Sequence, residues 1–122
     1  MEIQAFINDV LSQNREKLKK YFAENAVVLW RCTNERFTVE EYIRANCDYP
    51  GKWDGEVEKL ISTEDGFITA VRVFSMDGMA SFHVTSFITL ENGKITFLDE
   101  YWADDGEPPE WRKSMNIGKS IK

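Results

Sequence analysis

The stretch that decides the fold runs from Gly66 to Trp102, GFITAVRVFSMDGMASFHVTSFITLENGKITFLDEYW. β-branched and aromatic residues fill it, and the dipeptides Asp77-Gly78 and Asn92-Gly93 cut it into three segments. Val, Ile, Thr and Phe suit a half-buried pleated surface. Asp-Gly and Asn-Gly favour the positive-φ turns that close tight hairpins. Asp65-Gly66 adds one segment upstream. Glu56–Thr63, Phe67–Ser75, Met79–Leu90 and Ile95–Trp102 are therefore expected to be four strands of an antiparallel meander.

Ahead of the meander the period of the apolar residues changes. Ile3, Phe6, Ile7, Val10 and Leu11 recur at helical spacing. Asn14 is placed to cap a second, shorter helix carrying Leu18, Tyr21 and Phe22. Ala26–Cys32, AVVLWRC, reads as a strand. In Phe37-Thr38-Val39-Glu40-Glu41-Tyr42, Thr38 and Glu41 fit a capping box and Phe37 with Tyr42 a hydrophobic staple. That third helix runs to about Cys47 and must end before Pro50-Gly51. Helices segregated ahead of a curved antiparallel sheet make an α+β fold, cone-shaped, with a pocket between the layers. Residues 1–122 are read as one domain, with an irregular tail over about 103–122.

The composition sets outer limits. With 43% apolar residues in 122, the chain can bury a core, and it is not a disordered segment. No apolar run is long enough to cross a membrane as a helix. A net charge of −6 disfavours nucleic acid, which needs a basic surface. No signal peptide is apparent at the N-terminus, so a cytoplasmic protein with reduced Cys32 and Cys47 is expected. One histidine and two cysteines with no CxxC pair are too few ligands for a zinc site, and no Gly-rich phosphate loop is present. No metal and no cofactor are expected.

Turn chemistry sets the register. A two-residue Asp77-Gly78 loop puts Phe74 opposite Ser81, Arg72 opposite His83 and Ala70 opposite Thr85. A two-residue Asn92-Gly93 loop puts His83 opposite Trp102 and Thr85 opposite Glu100. One face then gathers Ile68, Ala70, Arg72, Phe74, His83, Thr85, Phe87, Leu98, Glu100 and Trp102. The other holds Val71, Val73, Phe82, Val84, Ile88, Leu90, Ile95, Phe97 and Tyr101. Both are substantially apolar, so both are expected to be covered, one by helices and pocket, the second by another copy of the sheet in a homodimer.

Arg72, His83 and Glu100 among aromatics form the candidate catalytic set. An arginine would hold the glutamate ionised, and histidine exchanges protons near neutral pH. A structural pairing or a dimer contact is the competing reading, in which the more apolar face packs on the helices. A bulge in the long strand Met79–Leu90 would also flip the register. Trp53 and Trp111 could cap a cavity mouth or anchor a dimer edge.

The segments Tyr21-Phe22-Ala23-Glu24-Asn25-Ala26-Val27-Val28 and Asn92-Gly93-Lys94-Ile95, with Glu100-Tyr101-Trp102, resemble the nuclear transport factor 2-like superfamily, its SnoaL-like branch most closely. The resemblance spans roughly residues 2 to 103. It implies a cone-shaped fold, usually dimeric through the sheet, shared by isomerases, cyclases, hydrolases, dehydratases and non-enzymatic binding modules. The ketosteroid isomerase positions fall on Phe6, Trp30 and Thr85, which cannot supply that chemistry. The limonene-epoxide hydrolase positions fall on Arg72, Phe74 and Glu100, so one carboxylate is missing. A polyketide cyclase carboxylate and histidine would match Glu100 and His83. The resemblance points Arg72 and Glu100 into the pocket, with Trp30, Thr85, Phe87, Leu98, Trp102 and Phe6 around a small apolar or aromatic molecule. Acid/base chemistry by Glu100, His83 and Arg72 is one expectation. A non-catalytic ligand-binding or dimeric assembly domain with a structural Arg-His-Glu network is the other.

Overall fold

The computed structural model describes all residues, Met1 to Lys122. Two helices open the chain, α1 (Ile3–Leu11) and α2 (Arg15–Tyr21), followed by strand β1 (Phe22–Trp30). A short strand β2 (Glu35–Phe37) and helix α3 (Val39–Cys47) come next. The meander follows as β3 (Trp53–Thr63), β4 (Gly66–Ser75), β5 (Ser81–Glu91) and β6 (Lys94–Asp104), and a single helical turn, α4 (Glu110–Lys113), lies in the tail.

The helix ends follow local chemistry. Asn14 accepts from the Lys17 amide at 3.2 Å and starts α2. Thr38 and Glu41 form the reciprocal capping box of α3, at 2.9 and 3.2 Å. The Glu2 carboxylate caps α1 by accepting from the Gln4 and Ala5 amides. α2 stops at Tyr21, one residue short of the sequence reading, because Phe22 pairs with Ile95 and enters the core as the first residue of β1.

The six strands form one open sheet in the order β2-β1-β6-β5-β4-β3. The meander is antiparallel throughout, while β1 returns after two helices to lie parallel to β6, so the sheet is mixed. Asn92 and Gly93 both take positive φ, 51° and 77°, as a two-residue hairpin turn requires. Around Asp77-Gly78 the expected register holds, with Phe74 opposite Ser81 and Arg72 opposite His83. Gly66 is fixed by contact: a Cβ there would lie 1.8 Å from the Ile88 carbonyl oxygen.

The register of β6 departs from the sequence reading. Leu90 pairs with Ile95 but Thr89 pairs with Phe97, so Thr96 is an extra residue, a β-bulge in β6 rather than in the preceding strand. From there on every residue of β6 changes face. Ile95 and Leu98, three apart, are both fully buried in the same core layer, and a regular strand would put them on opposite faces. His83 therefore stands opposite Ala103, Thr85 opposite Tyr101, and Glu100 opposite Ser86.

The helices pack on the face that carries Val71, Val73, Val84, Ile88 and Leu98, joined by Phe6, Ile7, Leu18, Tyr42 and Ile43. Glu100 lies within that core layer at 6% exposure. The opposite face carries Ile68, Ala70, Arg72, Phe74, His83, Thr85 and Phe87, and, after the bulge, Tyr101. No helix is long and apolar enough to cross a membrane. Cys32 and Cys47 are both free thiols.

Candidate active site or binding cavity

The cone opens at the end where α1 and α3 finish and β3 begins. There it holds a cavity of about 330 Å³, at the lower end of the sizes found for small-molecule clefts. Its walls come from distant parts of the chain: Val10, Leu11 and Gln13 at the end of α1, Trp30 at the end of β1, Ala45, Asn46 and Tyr49 around the end of α3, and Trp53, Val73, Phe82 and Trp102 from the sheet. Cys32, Thr33 and Asp104 complete the rim.

The wall is a run of aromatic rings. Tyr49 and Trp53 have centroids 5.4 Å apart, Trp53 and Phe82 5.6 Å, Phe82 and Trp102 6.2 Å, and Trp102 and Trp30 6.1 Å. These separations suit favourable aromatic pairs. The polar side chains at the rim are largely spent on structure. Gln13 donates to the carbonyls of Asn46 and Tyr49, at 2.9 and 2.8 Å, and Asn46 donates to the Val10 carbonyl. The Thr33 hydroxyl donates to Glu35. Trp53 donates its indole N–H to the Pro50 carbonyl at 3.1 Å.

The other two cavity tryptophans converge on Glu100. Trp30 stands opposite Glu100 across the β1–β6 pair, and Trp30 and Trp102 donate to the same carboxylate oxygen at 3.0 and 3.2 Å. Ser86 donates to the second oxygen at 2.6 Å, within the range of charge-assisted hydroxyl–carboxylate bonds. Burial pushes the Glu100 carboxyl above its ordinary value, against bonds from Ser86, Trp102 and Trp30 that favour the ionised form. The Tyr42 phenol is pushed well above its ordinary value by burial and then by the Glu100 charge. Glu100 itself does not line the cavity; the two indoles stand between them.

Arg72 and His83 lie on the other face of the sheet, so the three ionisable residues do not meet. The expected Arg72–Glu100 pair is absent: the bulge at Thr96 turns Glu100 inward, and β4 and β5 keep Arg72 and His83 outward. Arg72 instead stacks on the Phe74 ring, 4.5 Å from its centroid, and its buried Nε has no hydrogen-bond partner. His83 bonds Asp105 through Nδ1 and meets Glu58 through Nε2 at 3.3 Å. The Asp105 hydrogen bond, opposed by burial and helped by Glu58, holds the His83 imidazole above its ordinary value. Asp105 is held low: burial opposes this, but the bonds from Ser81 and His83 prevail. Lys122 at the chain end pairs with Glu56 at 2.9 Å beside this cluster.

Of the residues expected around a ligand, Trp30 and Trp102 line the cavity. Phe6 and Leu98 are core residues at 3% and 0% exposure. Thr85 and Phe87 are on the outer face, and Phe87 is 42% exposed. Trp53 borders the cavity, whereas Trp111 does not touch it and is largely exposed. Sequence reasoning missed Val10, Tyr49, Phe82 and Asp104. Phe82 and Asp104 carried a signal, since they face each other in a register that Ile95 and Leu98, both apolar and three apart, would have revealed.

No sequence-family profile matches the chain, and no curated protein matches it in sequence. Solved structures match its shape. A candidate ketosteroid isomerase from Kribbella flavida superposes with a TM-score of 0.80 at 21% identity, covering 98% of this chain and 87% of that one. An LEH-like epoxide hydrolase from M. tuberculosis gives 0.68 at 13% identity, over 83% and 79% of the two chains. A protein of ketosteroid isomerase-like fold from Catenulispora acidiphila, in complex with trimethylamine, gives 0.68 at 12% identity, over 81% and 82%. At these identities the likeness is one of fold.

Proposed function

We propose that this chain, which has the nuclear transport factor 2-like fold, is a small-molecule-binding domain that takes an apolar or aromatic ligand into its open cavity. The observation that carries this is the aromatic wall of Tyr49, Trp53, Phe82, Trp102 and Trp30, in which all three indole N–H groups are already committed to protein oxygens. Such a wall offers ring surface and little hydrogen bonding, which selects shape and apolar area. Glu100 acts here as a positioning residue that holds two of the rings. Trimethylamine in one structural neighbour is consistent with a small ligand in a fold of this shape.

The second reading is a cofactor-independent isomerase, cyclase or hydrolase. One observation favours it: a buried carboxyl with a raised pKa directly behind the cavity wall. Against it, both Glu100 oxygens are occupied by three donors and neither reaches the cavity. A general base needs hydrogen-bond reach to its substrate.

The test is a proton–nitrogen NMR titration with indole, following the four tryptophan N–H resonances. Binding in the cavity shifts Trp30, Trp53 and Trp102 and leaves Trp111 in place as an internal control. A titration that moves none of the three overturns the reading.

The outer face is assigned to a second copy of the chain. Ile61, Phe87 and Tyr101 are 51%, 42% and 45% exposed on that one side of the sheet, and the last two rings are in edge contact. Light scattering should then give twice the 14.2 kDa chain mass, and Phe87→Lys should return it to one. A monomeric wild type refutes the assignment.

A further inference from the structure

We infer that the ligand of this cavity is an organic cation, a protonated or quaternary alkylamine whose charged head sits against the aromatic wall with Asp104 as its counter-charge. The inference rests on the binding reading above and adds the chemical class. Three features of the site carry it.

First, among the residues lining the cavity Asp104 alone has a charged side chain. It sits at the rim, exposed, opposite Phe82, and it makes no hydrogen bond and no ion pair, unlike its neighbour Asp105, which is bonded to Ser81 and His83. No lysine or arginine lines the cavity to attract an anion.

Second, the rings are electronically prepared for a cation. The face of an indole carries the negative end of its quadrupole, and tryptophan is the best of the aromatic side chains for cation–π contact. Trp30 and Trp102 both donate to one carboxylate oxygen. A hydrogen bond to an anionic acceptor pushes electron density into the donor ring and strengthens the attraction of the ring faces for a positive charge. The same bonds use up the positive N–H edge that would otherwise repel a cation.

Third, negative charge borders the site. Glu100, when ionised, sits directly behind two of the rings, Asp104 lies at the mouth, and the chain carries −6 overall. An apolar cavity with these charges at its borders concentrates cations and repels carboxylates and phosphates.

The experiment compares choline with 3,3-dimethylbutan-1-ol, which has the same shape and hydroxyl but a neutral carbon in place of nitrogen. Both are titrated against the labelled protein, with indole as the neutral aromatic reference. Choline should bind about tenfold more tightly than the alcohol, the ratio a cation over aromatic faces supports. Asp104→Asn should weaken choline about threefold to fivefold, in the range of an exposed charge pair, and change indole affinity by less. Raising the salt should weaken choline alone. If indole binds and the alcohol matches or exceeds choline, or choline fails to bind, the cation assignment is wrong and the apolar cavity reading stands. If Asp104→Asn leaves choline affinity unchanged, the counter-charge assignment is wrong. If indole, alcohol and choline all leave Trp30, Trp53 and Trp102 unmoved, both readings fall together.

Discussion

Replacing Glu100 by leucine puts an apolar side chain of comparable size in the core but removes the acceptor for three donors, the indole N–H groups of Trp30 and Trp102 and the hydroxyl of Ser86. A stranded buried donor costs about 1–3 kcal/mol, so three cost roughly 3–9 kcal/mol. Against this stands the burial of an anion without a cationic partner, which itself costs several kcal/mol and is removed by the substitution. The net expectation for Glu100→Leu is a loss of about 2–4 kcal/mol. Glu100→Gln tests the same network differently. Its amide oxygen can keep both indole bonds, and its NH2 can donate to Ser86, whose hydroxyl also accepts. Its stability should lie within about 1 kcal/mol of the wild type at neutral pH. Urea unfolding followed by tryptophan fluorescence measures both values. The pH dependence adds a sign. Burial raises the Glu100 carboxyl above its ordinary 4.5, so the folded state holds the proton more strongly than the unfolded chain does. The advantage of wild type over the Gln variant is then greatest below that ordinary value and is lost as pH rises through the folded-state value. A Leu variant as stable as the Gln variant, or a wild-type advantage that grows with pH, would refute the assignment of Glu100 as a buried positioning carboxylate.

Two further outcomes follow from other parts of the molecule. His83 is held above its ordinary value by Asp105 and Glu58, so its contribution is complete below about pH 6.5 and is lost as pH rises through the folded-state value. The pair is partly exposed and screened, so the effect is under about 1 kcal/mol; His83→Gln should flatten that part of the stability–pH curve, and an unchanged curve would show the cluster to be inert. Gly66→Ala would place a Cβ 1.8 Å from a backbone oxygen of β5. It should cost about 3 kcal/mol or more and speed amide exchange at the turn end of the β4–β5 pair, whereas near-neutral stability would mean that the strands part there at little cost.

The readings that held rest on interactions between residues close in sequence. The Thr38–Glu41 box, the Asn14 cap and the Asn92-Gly93 turn each involve a few neighbouring groups, so residue types alone specify them. The register of β4 on β5 was legible for the same reason, because one turn determines it. The α+β architecture follows once helices are seen to precede a meander.

What escaped was the face of β6. A single extra residue, Thr96, reverses every side chain after it, and it moves Glu100 and Trp102 from the outer face to the inner one. The sequence places Arg72, His83 and Glu100 within one sheet, but only the folded sheet separates them into an outer cluster and a buried carboxylate. The cavity is further out of reach, since Val10, Trp30, Tyr49, Trp53, Phe82 and Asp104 come together through the parallel β1–β6 pairing and the packing of α1 and α3 over the sheet. Local chemistry determined the elements and their turns; long-range packing, which chooses the bulge that buries both Ile95 and Leu98, decided which residues share the cavity and which face away from it.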